Sequence, residues 1–241
     1  MSEENQAIAI IPARGGSKRI PRKNIRDFHG KPIIAYPIQA AIESKCFAEV
    51  MVSTDDEEIA DIAKSYGAKV PFIRSDQNAS DHAMTVPVLL EVLEAYEALG
   101  KDFSFGCCLY PTAVFASSEL IIKGKDALLA NNQIQSCFPV VRFGYPVQRG
   151  LRMKGDQVEM VWPENLNTRS QDLEPMFHDT GQFYWFRKHD LVKEQRLFMN
   201  NSVGIEVPDT EVQDLDTFVD WELAEVKYIR MSRLSQNTKD S

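Results

Sequence analysis

The chain has 241 residues, 44% apolar and 26% charged, with a net charge of −8 at neutral pH and a pI near 5.1. These proportions describe a folded globular protein long enough to bury a sizeable core as one domain. The acidic balance argues against a general nucleic-acid surface. No apolar run approaches the roughly 18 residues of a membrane span, and residues 1–6, acidic and polar, are not expected to serve as a secretory leader.

Over the first 141 residues, short apolar runs alternate with helical patterns. Strands are predicted at 7–12, 50–53, 70–73, 103–110 and 136–141, several apolar at nearly every position, as expected where both faces are covered. Helices are predicted at 33–45 (with Pro37 near the first turn), at 55–66 before Gly67, at 86–99 before Gly100, and at 117–131 behind Ser-Ser-Glu capping chemistry. This alternation implies an α/β fold with a doubly wound, mostly parallel sheet. Residues 142–180 break the rhythm and read as an excursion, with a β-hairpin around 150–161 followed by a long loop. A strand at 182–186, a helix at 188–195, a strand at 203–207 and an amphipathic helix at 217–229 complete the chain, and 231–241 is expected to fray.

Cys46, Cys107, Cys108 and Cys137 fit no zinc spacing and are expected to be buried thiols in a reducing cytoplasm, the adjacent pair pointing to opposite faces of a strand. The four histidines are scattered and form no ligand pair.

Residues 13–26 carry six cationic side chains and no acidic one, directly after the first predicted strand. Glycines that admit close backbone approach, flanked by Arg and Lys, suit a polyphosphate at the carboxyl edge of a parallel sheet. The segment is neither a Walker loop nor a dinucleotide fingerprint, and its plain alternative is a solvated basic loop. Asp214 and Asp216 share one face if 212–216 is extended, which suits Mg²⁺; alternatively Asp216 caps the following helix. Tyr110-Pro111-Thr112-Ala113 ends a central strand at the ligand edge, or merely terminates it. Asn167–Asp172 and His178–Gln182 are polar stretches that could close over the sheet, with Arg169 able to clamp a carboxylate, or they are solvated loop. Arg74, Ser80 and Asp81 follow the third predicted strand and could meet a base or sugar edge.

Together these segments resemble the sugar-acid cytidylyltransferases, the CMP-sialic acid synthetase group. Residues 10–24, Ile-Ile-Pro-Ala-Arg-Gly-Gly-Ser-Lys-Arg-Ile-Pro-Arg-Lys-Asn, are similar to that family's opening signature. Val-Ser-Thr-Asp-Asp at 52–56, Tyr-Pro-Thr-Ala at 110–113 and Gln-Asp-Leu-Asp at 213–216 follow in the family's order. Residues 143–149, 167–172 and Gly-Gln-Phe-Tyr-Trp at 181–185 look closer to its pseudaminic acid branch than to its acylneuraminate branch. The resemblance implies a Rossmann-like nucleotidyltransferase that joins CTP to the anomeric hydroxyl of a nine-carbon sugar acid, with Mg²⁺ and release of pyrophosphate. Within that resemblance Arg14, Gly15, Ser17, Lys18 and Lys23 match the triphosphate loop, Asn24 closes it, and Arg74 and Ser80 match positions near the base. Asp214 and Asp216 match the metal carboxylates; Arg14, Lys18 and Asp216 carry the catalytic roles; Tyr110, Arg169, Gln171 and Gln182 fall at sugar contacts. Tyr110 stands where acylneuraminate enzymes carry Gln, which leaves N-acetylneuraminate, legionaminate and a deoxyoctulosonate as alternative acids. A non-catalytic nucleotide sensor is the rival outside the class. The resemblance further implies a homodimer in which 142–180 reaches the partner subunit, with neither nucleic acid nor membrane as partner.

Overall fold

The structure, a computed structural model, describes residues 7–80 and 83–237. The elements in order are β1 (Ala7–Pro12), a small hairpin of β2 (Asp27–Phe28) and β3 (Lys31–Pro32), α1 (Ala35–Ser44), β4 (Glu49–Ser53), α2 (Glu57–Ser65), α3 (Asp76–Ala79), α4 (Thr85–Ala98), β5 (Phe105–Leu109) and α5 (Ser118–Leu129). Then come β6 (Ser136–Arg142), the hairpin β7 (Leu151–Lys154) and β8 (Gln157–Met160), β9 (Phe177–Asp179), β10 (Phe183–Arg187), α6 (Lys188–Glu194), β11 (Ser202–Glu206) and α7 (Phe218–Asn237).

Seven strands form one sheet in the order β11-β6-β10-β5-β1-β4, with β9 added to β6. β1 lies parallel between β4 and β5, and β11 is parallel to β6. Both faces are covered. Ile8, Ile10, Met51 and Cys108 pack against α4 residues Leu89, Val92 and Leu93. Ala9, Ile11, Val52 and Cys107 pack on the other face with Ile38 of α1 and Ile121 of α5. This two-sided burial is what the unbroken apolar runs require. Cys107 and Cys108 do point to opposite faces, and all four cysteines are buried free thiols.

Side-chain chemistry sets the helix ends. The Asp56 carboxylate caps α2 by accepting from the Ile59 amide at 3.0 Å, and Ser117 caps α5 by accepting from the Leu120 amide at 3.1 Å. Gly67 and Gly100, just past α2 and α4, sit at φ +93° and +75°, where a side chain would be strained.

The structure departs from the sequence reading, or adds to it, at four points. Residues 70–73 form no strand: only Lys69 bridges to Met51, and Pro71 has no N–H to extend a ladder. β10 runs antiparallel to both β5 and β6, because the chain returns from the excursion at the edge it left rather than through a crossover helix. The β2–β3 hairpin, turned by His29 and Gly30 at φ 50° and 86°, lies inside a stretch that sequence reading leaves unassigned. Finally, 231–237 continues α7, since no Gly or Pro interrupts 218–237; residues 238–241 of the expected frayed tail lie outside the described residues.

A third apolar cluster positions the distant parts of the cleft described below. Ile20 of the basic segment, Phe28 of β2, Leu215 between the two aspartates, and Trp221 of α7 bury together, Phe28 meeting Tyr36, Trp221 and Tyr228 edge-on at 5.5 Å. Residues 20 and 215 are thus held in one packed cluster.

Glu49, at the start of β4, is buried and accepts hydrogen bonds from Tyr96 Oη (3.0 Å), Lys101 Nζ (3.0 Å) and Lys69 Nζ (3.2 Å). Burial pushes its carboxyl up, but the bonds from Lys101, Lys69 and Tyr96 outweigh this and hold its pKa below the usual value. The stability it adds is therefore complete above the ordinary glutamate pKa and is lost as pH falls through the lower folded value. Both lysines are half exposed and screened, so the hydrogen bonds rather than the ion pairs carry the effect. Glu49→Gln is expected to cost about 1–3 kcal/mol at pH 7. In urea unfolding that deficit should shrink below pH ~4.

Candidate functional site

A cleft of about 680 Å³ opens along the sheet edge where β1 and β5 end and β10 begins. This is the edge where open α/β sheets bind ligands. Arg14, Ser17, Lys18, Lys23 and Asn24 line it from the loop after β1. Arg74 enters from the β4 side, Tyr110 and Tyr184 from β5 and β10, and Asp214 from the segment before α7.

The loop is held by its own backbone and by acidic neighbours. The Gly15 amide donates to Asp55 Oδ1 at 2.9 Å. A Cβ on Gly15 would stand 2.7 Å from Asp56 Oδ2, so the loop can seat against the α2 N-terminus only with glycine here. Asp56 also takes both Arg22 guanidinium nitrogens, at 2.5 and 3.0 Å, and its pKa is held down chiefly by that arginine. Arg22 is thereby committed to structure. Asn24 is buried, and its side-chain amide donates to the Arg14 carbonyl at 2.9 Å, closing the loop on itself. Arg14 Nη1 donates to the Ser80 carbonyl at 3.0 Å, so Ser80 positions Arg14 from outside the lining of the cleft. Asp81 and His82 lie outside the described residues. Arg74 is buried, its guanidinium donating to Ser53 Oγ at 2.9 Å and to the Ser53 carbonyl, with burial lowering its pKa.

The two aspartates reach this loop. Lys23 Nζ donates to the Leu215 carbonyl at 2.6 Å and stands 3.9 Å from Asp216 Oδ1; Arg19 pairs with Asp216 Oδ2 at 2.8 Å. Burial, then the charge of Asp216, raises the pKa of Asp214, which also accepts from the Leu215 amide at 2.8 Å. Lys23, largely desolvated, has a lowered pKa despite both aspartates. Among the described residues no three or more His, Cys, Asp or Glu side chains form a metal cluster. Two oxygen-donor aspartates facing a cationic loop nevertheless suit a divalent cation that takes its other ligands from phosphate and water.

On the β10 side, the Tyr110 hydroxyl and Thr85 Oγ1 share a hydrogen bond at 3.0 Å, and burial pushes the Tyr110 pKa up to about 12. The Tyr184 hydroxyl donates to Asp179. Gln182 is buried and does not line the cleft; its amide donates to the Glu211 carbonyl at 3.0 Å and its oxygen has no partner.

Arg169 and Gln171 stand in the excursion, away from the cleft. Arg169 is exposed and pairs with Asp172 at 2.7 Å, and Gln171 lines a separate hollow of about 360 Å³ within the excursion. Within one chain neither reaches the main cleft.

Sequence reading missed Arg19, Thr85, Asp179 and Tyr184 as lining residues. Arg19 sat inside the recognised basic run, and Asp179 in a recognised polar stretch. Tyr184 sat inside the quoted 181–185 motif, and Thr85 carried no local signal, because only the juxtaposition of α4, β5 and β10 brings it to the Tyr110 hydroxyl.

A family model described as "Cytidylyltransferase" matches residues 8–237. The chain is 39% identical to a pseudaminic acid cytidylyltransferase of Campylobacter jejuni, over 92% of this chain and 95% of that protein. It is 31% identical to a CMP-N,N'-diacetyllegionaminic acid synthase of Legionella pneumophila, over 90% and 94% respectively. Among solved structures, a CMP:2-keto-3-deoxy-manno-octonic acid synthetase complexed with CTP matches with a TM-score of 0.68 at 19% identity, covering 95% of this chain and all of that one. At that identity the likeness concerns the fold.

Proposed function

The chain belongs to the cytidylyltransferase family, and from that premise we propose that it transfers CMP from CTP to the anomeric hydroxyl of pseudaminic acid, a nine-carbon sialic-acid-like sugar, releasing pyrophosphate. The observation that carries this reading is the single cleft shared by Arg14, Lys18 and Asp214, with Asp216 tied to the same loop through Arg19 and Lys23. Mere nucleotide binding would not require the paired aspartates. The choice of acid rests on the 39% relative.

The oxygen of the anomeric hydroxyl attacks the α-phosphorus of CTP in line; the new P–O bond forms as the bond to the bridging oxygen breaks, pyrophosphate leaves, and the hydroxyl proton passes to solvent. Such a displacement needs positioning and charge stabilisation more than covalent chemistry. Arg14, Ser17 and Lys18 hold the triphosphate, with Lys23 bridging the loop to the aspartate segment, and Gly15 and Asn24 shape the loop. Arg74, anchored on Ser53, faces the nucleoside side, while Ser80 fixes Arg14. Asp214 and Asp216 would hold a magnesium ion, which when bound supplies charge neutralisation at the phosphoryl group and the leaving pyrophosphate. Tyr110 contributes to the sugar side, its backbone amide donating to the Gln182 carbonyl at 2.9 Å.

The same reading takes the chain as one nucleotidyltransferase domain acting in the cytoplasm as a homodimer. Exposed Leu151, Met153 and Val158 on the β7–β8 hairpin support 142–180 as the surface that meets the partner, where Arg169 and Gln171 would reach the partner's cleft. A monomer by light scattering at assay concentration would overturn that part.

The test of the activity is pyrophosphate release from CTP and Mg²⁺ with pseudaminic acid, N-acetylneuraminate, a legionaminate and a deoxyoctulosonate in turn. Turnover with pseudaminic acid at the highest kcat/KM is expected. CTP bound but unconsumed with every acid would overturn the reading in favour of a sensor.

A further inference from the structure

Among the described residues two carboxylates line the cleft, and they come from different elements. Asp214 belongs to the segment that Lys23 ties to the loop after β1. Asp179 closes β9, which is hydrogen-bonded to β6, and it enters from the β10 side beside Tyr110 and Tyr184. The rings of Tyr110 and Tyr184 meet edge-on at 5.9 Å, so the cleft offers aromatic surface here beside the Asp179 carboxylate.

Asp179 is held in place. Tyr184 is buried in β10, packed on Phe138 at 5.3 Å, and its hydroxyl donates to the Asp179 carboxylate. A carboxylate has about four acceptor positions and this bond uses one, which leaves capacity facing the cleft. Aromatic walls with a single oriented acceptor suit a polyhydroxylated ring, whose C–H faces pack on aromatics and whose O–H and N–H groups donate. The same charge repels a carboxylate. A sugar acid bound here is driven to turn its acid group toward the cationic residues and its donors toward Asp179, so one residue both attracts the correct orientation and penalises the reversed one.

We propose that Asp179 is a specificity-determining residue for the sugar acid, accepting hydrogen bonds from its hydroxyl or amide donors, with Tyr184 as the positioning residue that aims it. The inference rests on the cytidylyltransferase reading and adds the means by which the acid is chosen and oriented.

The test is steady-state pyrophosphate release by wild type, Asp179→Asn and Tyr184→Phe, with pseudaminic acid and N-acetylneuraminate as probes and with CTP affinity measured separately by calorimetry. Asp179→Asn is expected to raise KM for the preferred acid by about tenfold or more, the scale of a charge-assisted hydrogen bond. CTP affinity should stay unchanged, and the kcat/KM ratio between the two acids should narrow. Tyr184→Phe should move the same quantities in the same direction by a smaller factor. An unchanged sugar-acid KM and an unchanged ratio in Asp179→Asn that still binds CTP like wild type would overturn the inference alone. So would a fall in kcat at constant KM, which would mark a group acting only on the reacting atoms. Loss of CTP affinity together with sugar-acid affinity would show a merely structural role and overturn it equally. Wild-type protein inert toward every acid would overturn the activity itself, and the inference with it.

Discussion

Asp214→Asn is expected to lower the rate of pyrophosphate release by about 10²–10³-fold, the scale of removing one stabilising group from a reacting phosphoryl or acyl centre. The free protein should remain at least as stable as wild type. The reason lies in how Asp214 is held. Burial, then the neighbouring charge of Asp216, raises its pKa, so its ionised form is disfavoured in the folded protein relative to the unfolded chain. The sign follows from linkage: a carboxyl with a raised folded pKa favours folding when protonated, and that contribution is lost as pH rises through the raised value. Asparagine keeps an oxygen to accept from the Leu215 amide, as Asp214 does at 2.8 Å, and removes the charge. Loss of activity together with an unchanged or higher melting temperature separates a functional carboxylate from a structural one. A parallel fall in both would count against the assignment.

Trp185→Ala is expected to destabilise the fold by about 3–5 kcal/mol in urea or thermal unfolding. Trp185 is fully buried in β10, stacks on Phe47 at 4.8 Å, and donates from its indole N–H to the Ile121 carbonyl of α5 at 3.0 Å. The adjacent Gly124 exists to admit it: a Cβ there would meet the indole at 2.6 Å. The truncation leaves a cavity between sheet and α5 and removes the indole hydrogen bond to the Ile121 carbonyl. Its neighbour Tyr184 points to the other face and reaches the cleft, so loosening β10 should also blur the sugar side. A loss below about 1.5 kcal/mol, the scale of a volume-conserving core change, would mean that the site collapses around the truncation and that β10 is not anchored as described.

How much of this was legible beforehand depends on the range of the signal. The basic loop, the strand ends, the Ser117 cap, and the glycines after α2 and α4 are local features, and periodicity or turn chemistry finds them. The paired carboxylates were visible as a motif. Their link to the loop was not, because it depends on Ile20, Leu215, Phe28 and Trp221 burying together across nearly the whole chain. The direction of β10 was equally hidden: an apolar aromatic run reads the same either way, and only the point where the excursion re-enters the sheet decides it. The 70–73 run was misread because apolar composition outweighed Pro71, whose missing N–H limits pairing to Lys69. Side chains such as Gln182 carry the right chemistry yet turn away from the cleft, which no spacing argument can reveal.

The central claim is that one nucleotide is gripped at once by the loop after β1 and, through a divalent ion, by the aspartate pair. Calorimetric CTP affinity with and without Mg²⁺, in wild type, Lys18→Ala and Asp214→Asn, tests it most directly. Lys18→Ala should weaken CTP under both conditions by about 1.5–3 kcal/mol, the worth of a charged hydrogen bond. Asp214→Asn should abolish the gain from Mg²⁺ and leave magnesium-free binding no weaker than wild type. Unchanged affinity in Lys18→Ala, or a full magnesium gain in Asp214→Asn, would contradict the account.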